Sequence, residues 1–118
     1  MTKVEEKKRF EECMKHMRPI RDALDVINGK WKMMIIISIM HDNKRFREIE
    51  RSIPKITSKV LAKELKDLEQ HKLIKRTVYD DYPVTVEYTA TEHTKSLEKL
   101  MSELSKWGTI HRKKIIGK

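Results

Sequence analysis

Arg45-Phe46-Arg47-Glu48-Ile49 opens a short helix, and Ile53-Pro54-Lys55-Ile56-Thr57 breaks it. From Ser58 to His71, Leu61, Leu65 and Leu68 recur at helical spacing and define one face. Ser58, Lys59, Lys63 and Lys66 fall off that face. Two β-like runs follow, Leu73 to Tyr79 and Val84 to Thr89, joined by Asp80-Asp81-Tyr82-Pro83. Helix, turn, helix and hairpin in this order predict a winged helix-turn-helix, mainly α with a small β-hairpin.

The second helix of that unit decides the reading of function. Ser58 to Gln70 spans about 20 Å, enough to lie across a DNA major groove. With its leucines turned inward, Thr57, Ser58, Lys59, Ala62, Lys63 and Lys66 lie on or beside the exposed side. The first turns of such a helix approach base edges, and lysines further along meet phosphates. Residues 55 to 76 hold seven basic and three acidic side chains, a local excess of +4. An isolated surface helix of a lysine-rich protein shows the same face merely solvated. Its place between a short helix and a hairpin favours DNA contact.

On the hairpin, the turn is acidic, which argues against contact at the tip itself. Lys75 and Arg76 on the first strand, and Tyr79 and Tyr82 near the tip, are the wing candidates, with Arg45 joining the DNA-facing set. For Tyr88 the favoured reading is packing across the strands.

The flanks read as helix. Residues 3 to 17 are charge-rich with a ragged apolar face of Val4, Phe10, Cys13, Met14 and Met17. Pro19 suits the first turn of a second helix, and Gly29 suits its left-handed end. Met33 to Met40 is apolar nearly all round; length favours a surrounded helix over a buried strand. Thr91 is placed to cap one last helix carrying Leu97, Leu100, Met101, Leu104 and Trp107. That face either packs inside the domain or meets a second copy, and limited room in one small core favours the dimer. The chain therefore divides into an N-terminal helix (1–18), a winged-helix core (19–90) and a C-terminal dimerisation helix (91–118). Phe10, Met14, Leu97, Leu100, Met101, Leu104 and Trp107 are the expected interface.

Bulk composition narrows the partners. The chain has 118 residues, with 27 Lys+Arg against 18 Asp+Glu, a net charge of +9. That balance suits a polyanion, nucleic acid before an anionic membrane surface. The longest apolar run is eight residues, against roughly 20 for a spanning helix. No signal-peptide core is present at the start, so a cytoplasmic location is expected. A single cysteine excludes an internal disulfide. The five histidines are scattered without metal-ligand spacing, and no phosphate loop or nucleophile elbow occurs, so no metal, cofactor or catalytic residue is expected. Few aromatics argue against single-strand recognition by base stacking. A winged-helix module binding protein or structured RNA, or a non-specific DNA binder, is the alternative to a sequence-specific regulator.

Several segments together resemble the HxlR-type regulators, a branch of the MarR-like winged-helix proteins. They are Pro19 to Trp31, Arg45 to Ile49, Ile56 to Leu61, Leu65 to Glu69, Leu73 to Arg76, and Tyr82-Pro83 with Val86-Glu87-Tyr88. The match runs to Trp107-Gly108 and covers about ninety residues. The resemblance implies a cytoplasmic homodimer on operator DNA, paired through its N-terminal region and last helix. It also implies a sensing cysteine just before Pro19, where this chain has Arg18; Cys13 lies five residues earlier. Asn28 likewise stands where glycine is usual. Cys13 keeps two readings: an inter-subunit disulfide if two N-terminal helices meet, or a buried unreactive thiol. No residue set marks a small-molecule effector.

Overall fold

The computed structural model describes residues 2–117. Seven helices and one hairpin follow in order: α1 (Lys3–Lys15), α2 (Met17–Ile27), α3 (Lys32–Met40), α4 (Phe46–Ser52), α5 (Ser58–Gln70), β1 (Ile74–Tyr79), β2 (Thr85–Ala90), α6 (Glu92–Lys95) and α7 (Leu97–Ile116). The strands pair antiparallel from Ile74 opposite Ala90 to Tyr79 opposite Thr85. The winged helix-turn-helix is therefore present, one residue displaced at β2.

The core is built from one face of each central element. Ile35, Ile36 and Ile39 of α3 meet Ile49 of α4, Leu61, Leu65 and Leu68 of α5, and Ile74 of β1. Ile53, Ile56 and Leu73, in the connections, complete the cluster. Trp31, Phe46, Tyr88 and Leu97 pack around it half-buried. Met33–Met40 is thus a helix, but not a surrounded one. Met34 and Ile37 remain 36% and 41% exposed, because only the face bearing Ile35, Ile36 and Ile39 meets other elements.

Three local features differ from the expected boundaries. α1 ends at Lys15 and α2 begins at Met17, with Pro19 still inside the first turn, where no N–H is needed. Gly29 has φ +93°, but Asn28 before it is extended, so the glycine turns the chain rather than closing α2. The last helix is two helices. Thr91 caps only α6, accepting from the Thr94 N–H, and the Ser96 hydroxyl bonds to the His93 carbonyl where α7 starts. That hydroxyl competes locally with the helical ladder.

Two polar features tie helices to the core. The fully buried Thr94 donates its hydroxyl to the Leu73 carbonyl, while Thr91 donates to the Lys72 carbonyl at 2.8 Å. They fasten α6 to the connection between α5 and β1. At the other side, Lys32 Nζ lies 2.6 Å from Glu64 and 3.5 Å from Asp67, joining the start of α3 to α5. Burial lowers the Lys32 pKa, but the hydrogen bond and charge of Glu64, with Asp67, outweigh it and hold the ammonium above its ordinary value.

Outside this core the chain is open. α1, α2 and α7 contain no buried residue. The radius of gyration is 18.9 Å, against about 13.5 Å for a compact chain of this length. No described helix is long and apolar enough to cross a membrane.

Lys32→Met is expected to destabilise the fold by about 2 kcal/mol, because Glu64 is left partly buried and unpaired. Adding Glu64→Leu should recover most of the loss. Urea unfolding of the two variants checks this; a double variant as weak as the single would assign the loss to packing.

Candidate nucleic-acid interface

The rotation of α5 settles which side chains face outward. Its three leucines are buried, and Lys59, Ala62, Lys63 and Lys66 are exposed. Successive residues are about 100° apart on a helix, so Lys59, Lys63 and Lys66 form a stripe opposite Leu61, Leu65 and Leu68. The helix also carries acids. Glu64 and Asp67 are drawn towards Lys32 on the flank, which leaves the outward stripe cationic.

Thr57 and Ser58 are held differently from the lysines. Thr57 is the N-cap, its hydroxyl accepting from the Val60 N–H at 3.2 Å. Ser58 donates its hydroxyl to a carboxylate oxygen of Glu50 on α4. Before them, Lys55 sits in the turn with φ +68°, a left-handed conformation that costs a side-chain-bearing residue energy. Asp42 and Lys72 share that conformation, but both follow helix ends; Lys55 is the one inside the helix-turn-helix, and it is exposed.

α4 is secured at its start by Glu48. Its carboxylate accepts from the backbone N–H of Arg45 at 3.0 Å and of Lys44 at 3.1 Å. Those two hydrogen bonds hold the Glu48 carboxyl below the usual range. Immediately before it, the Lys44 carbonyl accepts from the Tyr88 N–H at 2.7 Å and seats the hairpin against this junction.

The hairpin separates its two basic residues. Arg76 pairs with Tyr88, and both line a cleft of about 290 Å³ with Ala62, Lys66 and Glu69 of α5. Lys75 points to the opposite side of the ribbon, since strand side chains alternate. Tyr88 packs inward as expected, though its cross-strand neighbour is Arg76 rather than Tyr79. Tyr79 is 44% exposed and Tyr82 fully exposed. Arg45 lies away from the α5 stripe, in a second cleft with Arg47, Arg51 and Val84–Val86. The structure thus gathers Lys59, Ala62, Lys63, Lys66 and Arg76, and leaves Arg45 and Lys75 elsewhere.

The fold and sequence match known regulators. The family model described as HxlR-like helix-turn-helix covers residues 26–115. The chain belongs to the HxlR-like family. YtcD of Bacillus subtilis, an HTH-type transcriptional regulator, is 38% identical over 106 residues, spanning 90% of this chain and 84% of that protein. The reduced form of the transcriptional regulator YodB from B. subtilis superposes with a TM-score of 0.70 at 37% identity, covering 75% of this chain and 87% of that one. A MarR-family regulator from Enterococcus faecalis superposes at 0.75 with 34% identity, covering 83% and 89%. These relatives are transcriptional regulators rather than enzymes, and duplex DNA is the partner of such a helix-turn-helix.

Cys13 is exposed on α1, so the single chain does not bury this thiol as expected: α1 has no element covering that face. Among the described residues, no group of three or more His, Cys, Asp or Glu is placed to hold a metal. Lys55, Arg47, Arg51 and Glu50 escaped the sequence reading. Only the tertiary arrangement shows which cations neighbour which element.

Glu48 links α4 to pH. Its folded pKa is depressed, so its contribution is present above the ordinary carboxyl value and is lost as pH falls through the folded one. Glu48→Gln should therefore be less stable than the parent at pH 7, with the difference closing in acid. Thermal melts across pH 3 to 7 check this, and a constant difference would deny the carboxylate its role.

Proposed function

We propose that two copies of this chain bind a pseudo-palindromic duplex operator in the cytoplasm and regulate transcription by occupying it. The observation that carries DNA reading is the α5 stripe of Lys59, Lys63 and Lys66, from which Lys32 draws away two of the helix's three acids, Glu64 and Asp67. Thr57, Ser58 and Ala62, short side chains near the start of α5, leave room for approach to base edges. Lys63 and Lys66 meet phosphates further along, and Arg76 supports them from the hairpin. Arg45, Lys75, Tyr79 and Tyr82 are outer contacts with flanking backbone.

Pairing is supported by the apolar surface outside the core. Phe10 and Met14 on α1 are 64% and 49% exposed, and Leu104 and Trp107 on α7 are 44% and 66% exposed. Leu100 belongs to the same exposed set, and Met101 is half-buried. Leu97 already packs on the core and leads α7 out of it. Mutual burial of these faces about a two-fold axis removes that surface from water. It also sets two α5 helices to read half-sites about 34 Å apart. Cys13 lies on the α1 part of this surface, where an inter-subunit disulfide requires the two α1 helices to meet.

Anisotropy titration against the duplex upstream of its own gene and a scrambled duplex should give tight, sequence-dependent binding with a steep salt slope. Lys63→Ala should weaken all duplexes alike and reduce that slope by about 1. Equal weak binding to both duplexes would point instead to a protein or structured-RNA partner. In sedimentation, the parent should run at twice the 14.1 kDa chain mass, and Leu104→Glu with Trp107→Glu at the single mass. A monomeric parent would remove the pairing.

A further inference from the structure

The hydrogen bond between Ser58 and Glu50 constrains what Ser58 is able to read. A serine hydroxyl has one hydrogen and two lone pairs, whereas an ionised carboxylate only accepts. The hydrogen of Ser58 is therefore given to Glu50, and the hydroxyl presents only lone pairs to anything in front of it. Ser58 is exposed in the first position of α5, directly after the capping Thr57. Glu50 is half-buried on α4, and its carboxylate has no other hydrogen-bond or ion-pair partner among the described residues. Arg47 and Arg51 on the same helix leave it to Ser58.

We infer that Glu50 is a positioning residue for specificity: it fixes Ser58 as a pure acceptor, so that Ser58 selects an amino base over a keto base. In the major groove the donors are the N4 amino group of cytosine and the N6 amino group of adenine. Guanine and thymine present O6 and O4, which repel an acceptor. A free serine hydroxyl rotates and accepts either class, which is why serine reads sequence weakly. Glu50 removes that freedom. Its negative charge in a basic interface also disfavours register shifts that bring a phosphate to this position.

The inference rests on the proposed role of α5 in reading an operator, and the experiment separates the two. Duplexes selected from a randomised pool by the parent, Glu50→Ala, Ser58→Ala and the double variant are sequenced, after melts show that each folds. The parent should yield a consensus in which one position per half-site is adenine or cytosine, favoured about five-fold over guanine or thymine. Glu50→Ala should admit all four bases there and leave other positions unchanged. In the Ser58→Ala background, Glu50→Ala should change nothing further at that position. A parent consensus that Glu50→Ala leaves intact would overturn the inference alone. So would a uniform rise in affinity for every sequence, equal in both backgrounds, which would make Glu50 only a repelling charge. A parent with no preferred sequence would overturn the operator-reading role and this inference with it.

Discussion

The rotation of α5 about its own axis is held from two sides. Leu61, Leu65 and Leu68 are buried in the core, where α5 packs on α3 and β1, and this fixes the inward direction through apolar contact. Lys32 grips Glu64 and Asp67 on one flank, which resists rolling and sliding of the helix. A roll of one residue position, about 100°, would carry Lys59 and Lys63 off the outward face. The same ion pairs also decide electrostatics. Without Lys32, two carboxylates would stand beside the lysines and weaken their attraction for phosphate, so a contact that looks structural shapes the interface as well.

From α5 the other parts of the interface follow by attachment. Glu48 secures the start of α4, and the Lys44 carbonyl seats β2 by accepting from Tyr88. Tyr88 pairs with Arg76, which brings one basic side chain of the hairpin into the cleft beside Ala62 and Lys66. At the far end, Thr91 and Thr94 fasten α6 to the Lys72 and Leu73 carbonyls, and so set where α7 departs. A few hydrogen bonds thus join α6, and through it the start of α7, to the connection between α5 and β1.

Much of this was legible in the residues. The leucine spacing of Ser58 to His71, the Pro54 break and the two strand-like runs are local signals with one consistent solution. Thr91 and Pro19 were readable because capping and first-turn preferences act within four residues. The split at Ser96 was not, since it depends on one hydroxyl competing for the His93 carbonyl inside an otherwise helical pattern. The open side of α3 was also hidden. Met34 and Ile37 are as apolar as their buried neighbours, and nothing in composition says which face finds a partner.

The sequence by itself determined the element order up to the last helix, the inward face of α5, the excess of positive charge and the apolar faces that α1 and α7 carry. These follow from periodicity and side-chain chemistry, which act within a few residues. Tertiary structure alone decided that Arg76 joins α5 while Lys75 and Arg45 do not, that Lys32 draws off Glu64 and Asp67, that Cys13 is exposed in the single chain, and that Glu50 binds Ser58. Each joins residues from separate elements or depends on what covers a surface. Such relations arise only when the core fixes the helices against one another.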